Sequence, residues 1–493
     1  LELEKQKIFW KQEIVKDLDS EFDNALYRFH WMLEETVKNE DKNEVLKFIQ
    51  IMQSWFYSYR KSAKSIAFQP YNTSERICNL TIFLLTVYRN HLLSEEELRI
   101  YQEFIAEDLA VLKDSLEYPA SGVVNNHILN NARALMIGGF FIGNSDLIAL
   151  AKGILRLHLP KMINKNGYLE ESSSHYQLLL TRSLIEISLI SEILLDQDFF
   201  DWVNDYTQRM FLASSRLEPK EDNYKSHFPN IGDVSPDIPL NWFSIRGDLL
   251  SGWNKLWKKT YLFHNKAPIL SEDEGWVVLK KGDWFSINFS HKSNKNYPDG
   301  HGHEDFGSFL LYFKGRQLLT DIGRFTYDDE LETFSGKEES SHSVVLSNDL
   351  ISKSRNSFFR RHGILEDQVI RDFRQCKQIL NWETRNRKYF WNRTLEISEK
   401  KVNIADKINT ESAKSFFYLS PDCQVKSINK NKIIVGLESV GNFEFEFIGI
   451  KNMSVKEVNF FPSYGIKKKT LRIGCEIPSE NKPCKIETLI RKL

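Results

Sequence analysis

Four polar clusters in this 493-residue sequence carry side chains that could do chemistry: Asn125-Asn126-His127, Glu170-Glu171-Ser172-Ser173-Ser174-His175-Tyr176, His301-Gly302-His303-Glu304-Asp305, and Asp321 followed by His342. Two histidines separated by one glycine in an extended segment project in similar directions, so one could bind a metal while its neighbour reaches a substrate. His303, Asp321 and His342 supply two imidazoles and a carboxylate, a donor set suited to Zn²⁺. Their separation is long-range, and surface histidines in a loop account for the same residues. The other clusters also have plain structural readings. Asn125, Asn126 and His127 suit an N-cap ahead of an apolar helical run. Glu170 and Glu171 suit a first helical turn, where the helix dipole favours acids, and Tyr176 suits packing on that helix.

The elements that must position these groups fall into two halves. Up to about residue 255 the apolar residues recur at helical spacing, as in Ile77, Leu80, Phe83, Leu84 and Val87. Asn72 with Glu75, and Ser94 with Glu97, read as capping boxes that start helices. Further helices are expected around 43–60, 127–142, 145–157, 173–195 and 199–213, a run without strands that implies an all-α layer of helical hairpins. From residue 270 to 493 the period becomes two, as in Trp284–Phe289 and Phe443–Phe447. Lys281-Gly282-Asp283, Lys314-Gly315-Arg316 and Asn429-Lys430-Asn431 read as hairpin turns, and the whole as an antiparallel β-sandwich. Residues 256–269 are the expected linker. The first two clusters lie in the helical half and the others in the sheet half, so a site at the domain interface would unite them.

Length alone favours two large domains over one core. The formal charge of −1 gives no global attraction to nucleic acid or to an anionic polymer, so none is expected with nucleic acid and any groove for an acidic chain must be locally basic. The 13% of aromatic residues suits sugar stacking as well as core packing. Cys78, Cys376, Cys423, Cys475 and Cys484 are scattered without a Cys-x-x-Cys pair, against a disulfide framework or a thiolate zinc site. No apolar stretch is long enough for a membrane span. The sequence begins Leu-Glu-Leu-Glu-Lys, with neither an initiator Met nor a signal peptide, as a processed or truncated chain would.

Asn126-His127, Gly167-Tyr168-Leu169-Glu170-Glu171-Ser172 through Tyr176, Ile231-Gly232-Asp233, His301 through Phe309, Leu319-Thr320-Asp321-Ile322-Gly323 and Ser341-His342-Ser343-Val344-Val345 together resemble the heparinase II/III family, which includes related alginate lyases. The similarity runs in matching order from about residue 120 to 400. It implies an α+β multidomain fold, an incomplete (α/α) toroid followed by an antiparallel β-sandwich, and β-elimination on a uronic-acid-containing polysaccharide. By that resemblance Asn126 and His127 neutralise the uronate carboxylate, Tyr176 and His301 handle the protons, and His303, Asp321 and His342 hold a metal of mainly structural role. Glu171, Arg324 and Tyr327 are then expected to line the groove. A substrate of this class favours a periplasmic or secreted setting. Glu304 stands where small residues are common in the family. A glycoside hydrolase on a similar toroid, using two carboxylates roughly 5–10 Å apart drawn from Glu170, Glu171, Asp233 and Asp305, and a non-catalytic polysaccharide-binding protein are the alternatives.

Overall fold

The computed structural model describes residues 2–4, 7–9, 20–32, 42–62, 65–118, 125–169, 171–219, 228–235, 237, 275–290, 301–326, 336–347, 370–385, 390–410, 412–478 and 483–493. Glu170, Tyr327 and the expected linker 256–269 lie outside them.

Helices span Ser20–Arg28, Lys42–Ser54, Pro70–Arg89, Glu95–Asp114, Asn126–Ile142, Ser145–Met162, Ser174–Ile193 and Gln197–Leu217. Burial sorts the later ones into two rows. Pro70–Arg89, Asn126–Ile142 and Ser174–Ile193 are buried on nearly every face. Glu95–Asp114, Ser145–Met162 and Gln197–Leu217 bury one stripe each, such as Tyr101, Ile105, Leu109 and Leu112, and leave the opposite face polar. Inner and outer helices therefore alternate along the chain. The inner row carries buried charge: Glu75 accepts from Arg133 Nη1 at 2.7 Å and Arg182 Nη2 at 3.1 Å, and Arg133 also pairs with Glu186. Burial works against the Glu75 carboxylate, but the two arginines outweigh it and bring it down to about 2.

Two local expectations are corrected here. Asn72 and Glu75 do not start a helix: it begins at Pro70, whose fixed φ suits a first turn, and both residues lie buried inside it. The Ser94–Glu97 capping box forms with both of its bonds. The N-terminal half is also not free of strands, because Glu2–Glu4 pairs with Lys7–Phe9 in a short hairpin.

From residue 275 the described chain forms antiparallel sheets: one of eight strands and two of four. The three expected turns join Trp276–Lys281 to Trp284–Phe289, Leu310–Phe313 to Arg316–Leu319, and Cys423–Asn429 to Lys432–Leu437. Phe443, Phe445 and Phe447 point into the core while Glu444 and Glu446 meet Lys432 and Arg491 outside. Trp284–Phe289 departs from inside–outside alternation, being buried throughout. The four-stranded sheet holding it is the seam between two cores. Phe285, Ile287, Phe289, Leu310 and Tyr312 pack with the helices, whereas Val277, Leu279, Trp284, Leu311 and Phe313 pack with the other sheets. A strand covered on both faces is buried at every position, and here that includes the polar Ser286 and Asn288.

Candidate active site

The segment 228–237 runs irregularly across this seam, and its described residues are buried. A buried loop has to find partners for its backbone polar groups. Here they come from both halves. Ser174 donates its N–H to Ile231 O and its hydroxyl to Pro229 O, and Ser173 Oγ donates to Asp233 O. Asp233 N–H donates to His301 O at 3.0 Å, and Asn230 Nδ2 to Asp321 O at 2.9 Å. Gly232, at φ +72°, permits this crossing, since a Cβ there would lie 2.7 Å from both His301 O and Ser172 O.

Asp233 is the centre of the constellation. Its carboxylate meets His301 Nδ1 at 3.3 Å, His303 Nε2 at 2.9 Å and Arg324 Nη1 at 3.2 Å. Full burial would raise its pKa, but the contacts from His301 and His303 outweigh that and hold the carboxyl well below the usual range. His301 is thereby fixed at one edge. Its ring stacks on Tyr176, centroids 3.6 Å apart and planes 13° apart, and its Nε2 lies 3.5 Å from Glu171 Oε2. Tyr176 stands in the first turn of Ser174–Ile193, where Ser173 accepts its N–H as N-cap.

Glu171 is not a first-turn acid of its own following helix. It precedes that helix and accepts from Asn126 N–H at 2.9 Å, so it caps a different one. Asn125 is the N-cap of Asn126–Ile142, accepting from His127 N–H at 3.1 Å. Asn126 is buried, its Oδ1 without a partner among the described residues, and the His127 ring, 39% exposed, lies 4.8 Å from Tyr71. Glu171 thus joins Asn126 to His301 and Tyr176, and the expected groove residue Arg324 is buried against Asp233. Asp233, which organises the set, drew attention in the sequence only within Ile231-Gly232-Asp233 and as a possible hydrolase acid.

On the far side of Asp233, His303, Asp321 and His342 place ligand atoms within 4.8 Å of one another. His342 Nδ1 lies 2.5 Å from Asp321 Oδ2. Among the described residues, His303 Nδ1 and His342 Nε2 are buried nitrogens that meet no hydrogen-bond geometry, as ligand atoms for a cation would be. Burial lowers the His303 pKa and favours the neutral, ligating imidazole. In His342 burial is outweighed by Asp321, which raises the imidazole to about 9, a balance a bound cation would invert. Burial pushes neighbouring Asp305 up to about 7. The three residues fit a divalent metal.

Residues 265–488 match the heparinase II/III-like C-terminal family. This region of the chain is a heparinase II/III-like domain. The whole chain shares a fold with solved heparinases: a heparinase III at TM-score 0.66, 14% identity, 99% of this chain and 80% of that one; another heparinase III at 0.61, 14%, 100% and 81%; and a mutant of the heparan sulfate lyase of Pedobacter heparinus at 0.57, 14%, 100% and 79%. No curated protein matches the sequence. The heparinase-like domain thus supplies His301, His303, Asp321, Arg324 and His342, while the helical part preceding it supplies Asn126, His127, Glu171 and Tyr176.

Proposed function

We propose that the protein is a polysaccharide lyase that cleaves a uronic-acid-containing polysaccharide by β-elimination, with the alternating helices as an incomplete toroid whose open side meets the sheets. The observation that carries this is the stacked Tyr176–His301 pair, assembled across the seam and linked through Glu171 to the helix start bearing Asn126 and His127. A hydrolase has no comparable use for such a set. The ionised Asp233 is engaged by two histidines and an arginine, so it is a poor acid or base.

The C5 proton of a uronate becomes removable when the charge left behind is stabilised on the carboxylate. The Asn126 amide and His127 are the groups for that carboxylate. One member of the Tyr176–His301 pair takes the C5 proton, the electron pair forms the C4=C5 double bond, and the C4–O bond breaks. The departing oxygen receives a proton from the same pair. His303, Asp321 and His342 would hold a divalent cation, zinc suiting the donor set best, whose charge fixes the loop carrying His301.

The test is ultraviolet absorbance of the unsaturated uronate across a panel of heparan-like, hyaluronan-like, alginate and bacterial uronate polymers. Tyr176→Phe removes one oxygen. It is expected to lower kcat by about 10²–10⁴-fold, the usual contribution of a positioned acid–base group, while leaving polymer binding in place. A saturated product with a new reducing end would overturn the lyase reading.

A further inference from the structure

His127 has a carboxylate partner that takes no part in the proposed reaction. Glu117 Oε1 lies 3.0 Å from His127 Nδ1. Its other oxygen, Oε2, accepts from Asn131 Nδ2 at 3.0 Å, and its backbone N–H donates to Asn131 Oδ1 at 2.9 Å. Asn131 is fully buried, and its Nδ2 also donates to Ser74 Oγ at 3.1 Å. The backbone N–H of Glu117 must meet an acceptor, which fixes the Asn131 amide with its oxygen there and its nitrogen on Glu117 Oε2. His127 and Asn131 are four residues apart, on one face of one helix. The carboxylate is therefore held at Oε2, and its backbone at the N–H, with Oε1 left to meet the imidazole.

We infer that Glu117, braced by Asn131, is a positioning residue that holds a proton on His127 Nδ1 and leaves Nε2 to face the substrate carboxylate. The inference rests on the lyase reading for its substrate. A carboxylate that accepts from Nδ1–H fixes the ring's orientation and tautomer. A uronate carboxylate that reaches Nε2 then meets a ring whose orientation is already set, at the place where elimination builds negative charge. The Tyr71 ring covers the imidazole from another side, itself held by Arg28, whose guanidinium lies 4.7 Å from its centroid.

Glu117→Gln makes this testable because the Asn131 brace dictates how the new amide sits. Asn131 Nδ2 demands an oxygen, so the Gln nitrogen turns toward His127 Nδ1 and donates to it, driving the ring proton to Nε2. In protein labelled with ¹⁵N-histidine, with His127 assigned by its loss in His127→Ala, the wild type is expected to show a protonated Nδ1 and Glu117→Gln a bare one. The kcat of Glu117→Gln should fall about 10- to 100-fold, the range lost when the partner orienting a functional imidazole is removed. KM should change far less and the melting temperature hardly at all. Glu117→Gln with Asn131→Asp lets the amide turn back and should restore the Nδ1–H signal. An unprotonated Nδ1 in the wild type, a signal unmoved by Glu117→Gln, or an unchanged kcat would each overturn the inference. Should the wild type cleave no uronate polymer, the lyase reading falls, while the nitrogen spectra still decide the Glu117–His127 pair.

Discussion

At the scale of single residues, Asp233 controls the others by accepting. Its two oxygens divide the His-Gly-His segment, Oδ2 toward His301 beside Tyr176 and Oδ1 toward His303 beside His342. Replacing it with Asn removes the charge that all three cationic or donating neighbours face and breaks the buried Asp233–Arg324 pair. Breaking a buried pair by removing one partner costs about 3–5 kcal/mol. Asp233→Asn is accordingly expected to lower the unfolding free energy by that amount and to abolish most turnover, measured by denaturant titration and by ultraviolet assay. A variant as stable as the wild type would show that the carboxylate is not the anchor. That His301 and His303 would face a common neighbour was readable from their spacing, because alternate positions of an extended segment share a direction, and both meet Asp233. Asp233 was not, since its partners stand 68 and 70 positions away and no local pattern marks a residue that acts only by accepting.

At the scale of elements, the inner helices hold their register through charge as well as through apolar packing. Glu75, Arg133, Arg182 and Glu186 tie Pro70–Arg89, Asn126–Ile142 and Ser174–Ile193 together, and the last two of these helices carry His127 and Tyr176 in their first turns. The Glu75 carboxyl falls from an ordinary 4.5 to about 2 in the folded protein. A group with a depressed folded pKa contributes stability that is fully present above its unfolded value and is lost as pH falls through the folded one. At about 1.4 kcal/mol per pH unit, this amounts to at most roughly 3–4 kcal/mol. Melting temperature should therefore drop between pH 4.5 and 2, and Glu75→Gln, weaker at neutral pH, should lose its disadvantage across that same window. A gap between the two proteins that stayed constant down to pH 2 would exclude this cluster as the acid-sensitive element. Helical periodicity revealed these helices but misread Asn72 and Glu75 as a cap. A polar residue at the head of an apolar run looks the same whether it ends a helix or bonds to a neighbour 58 positions away, as Glu75 does.

At the scale of the whole molecule, the site exists because two cores share one sheet. The strands from Trp276 to Leu319 give alternate side chains to the helices and to the other sheets, which places the His301 loop against the start of Ser174–Ile193. The change of period along the sequence announced both halves; it could not reveal the seam, because the alternation of Trp284–Phe289 implies one solvent face, whereas Ser286 and Asn288 are buried too. The metal triad belongs to this scale too. His303, Asp321 and His342 come from three separate stretches of the heparinase-like domain, and His303 is bonded to Asp233 on the segment that threads between the halves. A cation bound there stabilises the folded state by about 4 kcal/mol when present at a thousandfold over its dissociation constant. Elimination needs no metal-activated water, so removing the ion should loosen the seam more than it impairs the chemistry. Chelator is expected to lower the melting temperature by several degrees, with recovery on adding Zn²⁺. Turnover should survive in part at temperatures where the stripped protein remains folded. His303→Ala, already lacking a ligand, should melt at the lower temperature with or without chelator. Equal losses of kcat in the chelated wild type and in Tyr176→Phe would instead put the metal in the chemistry. A wild type that contains no metal and is indifferent to chelator would sink the metal reading of His303, Asp321 and His342.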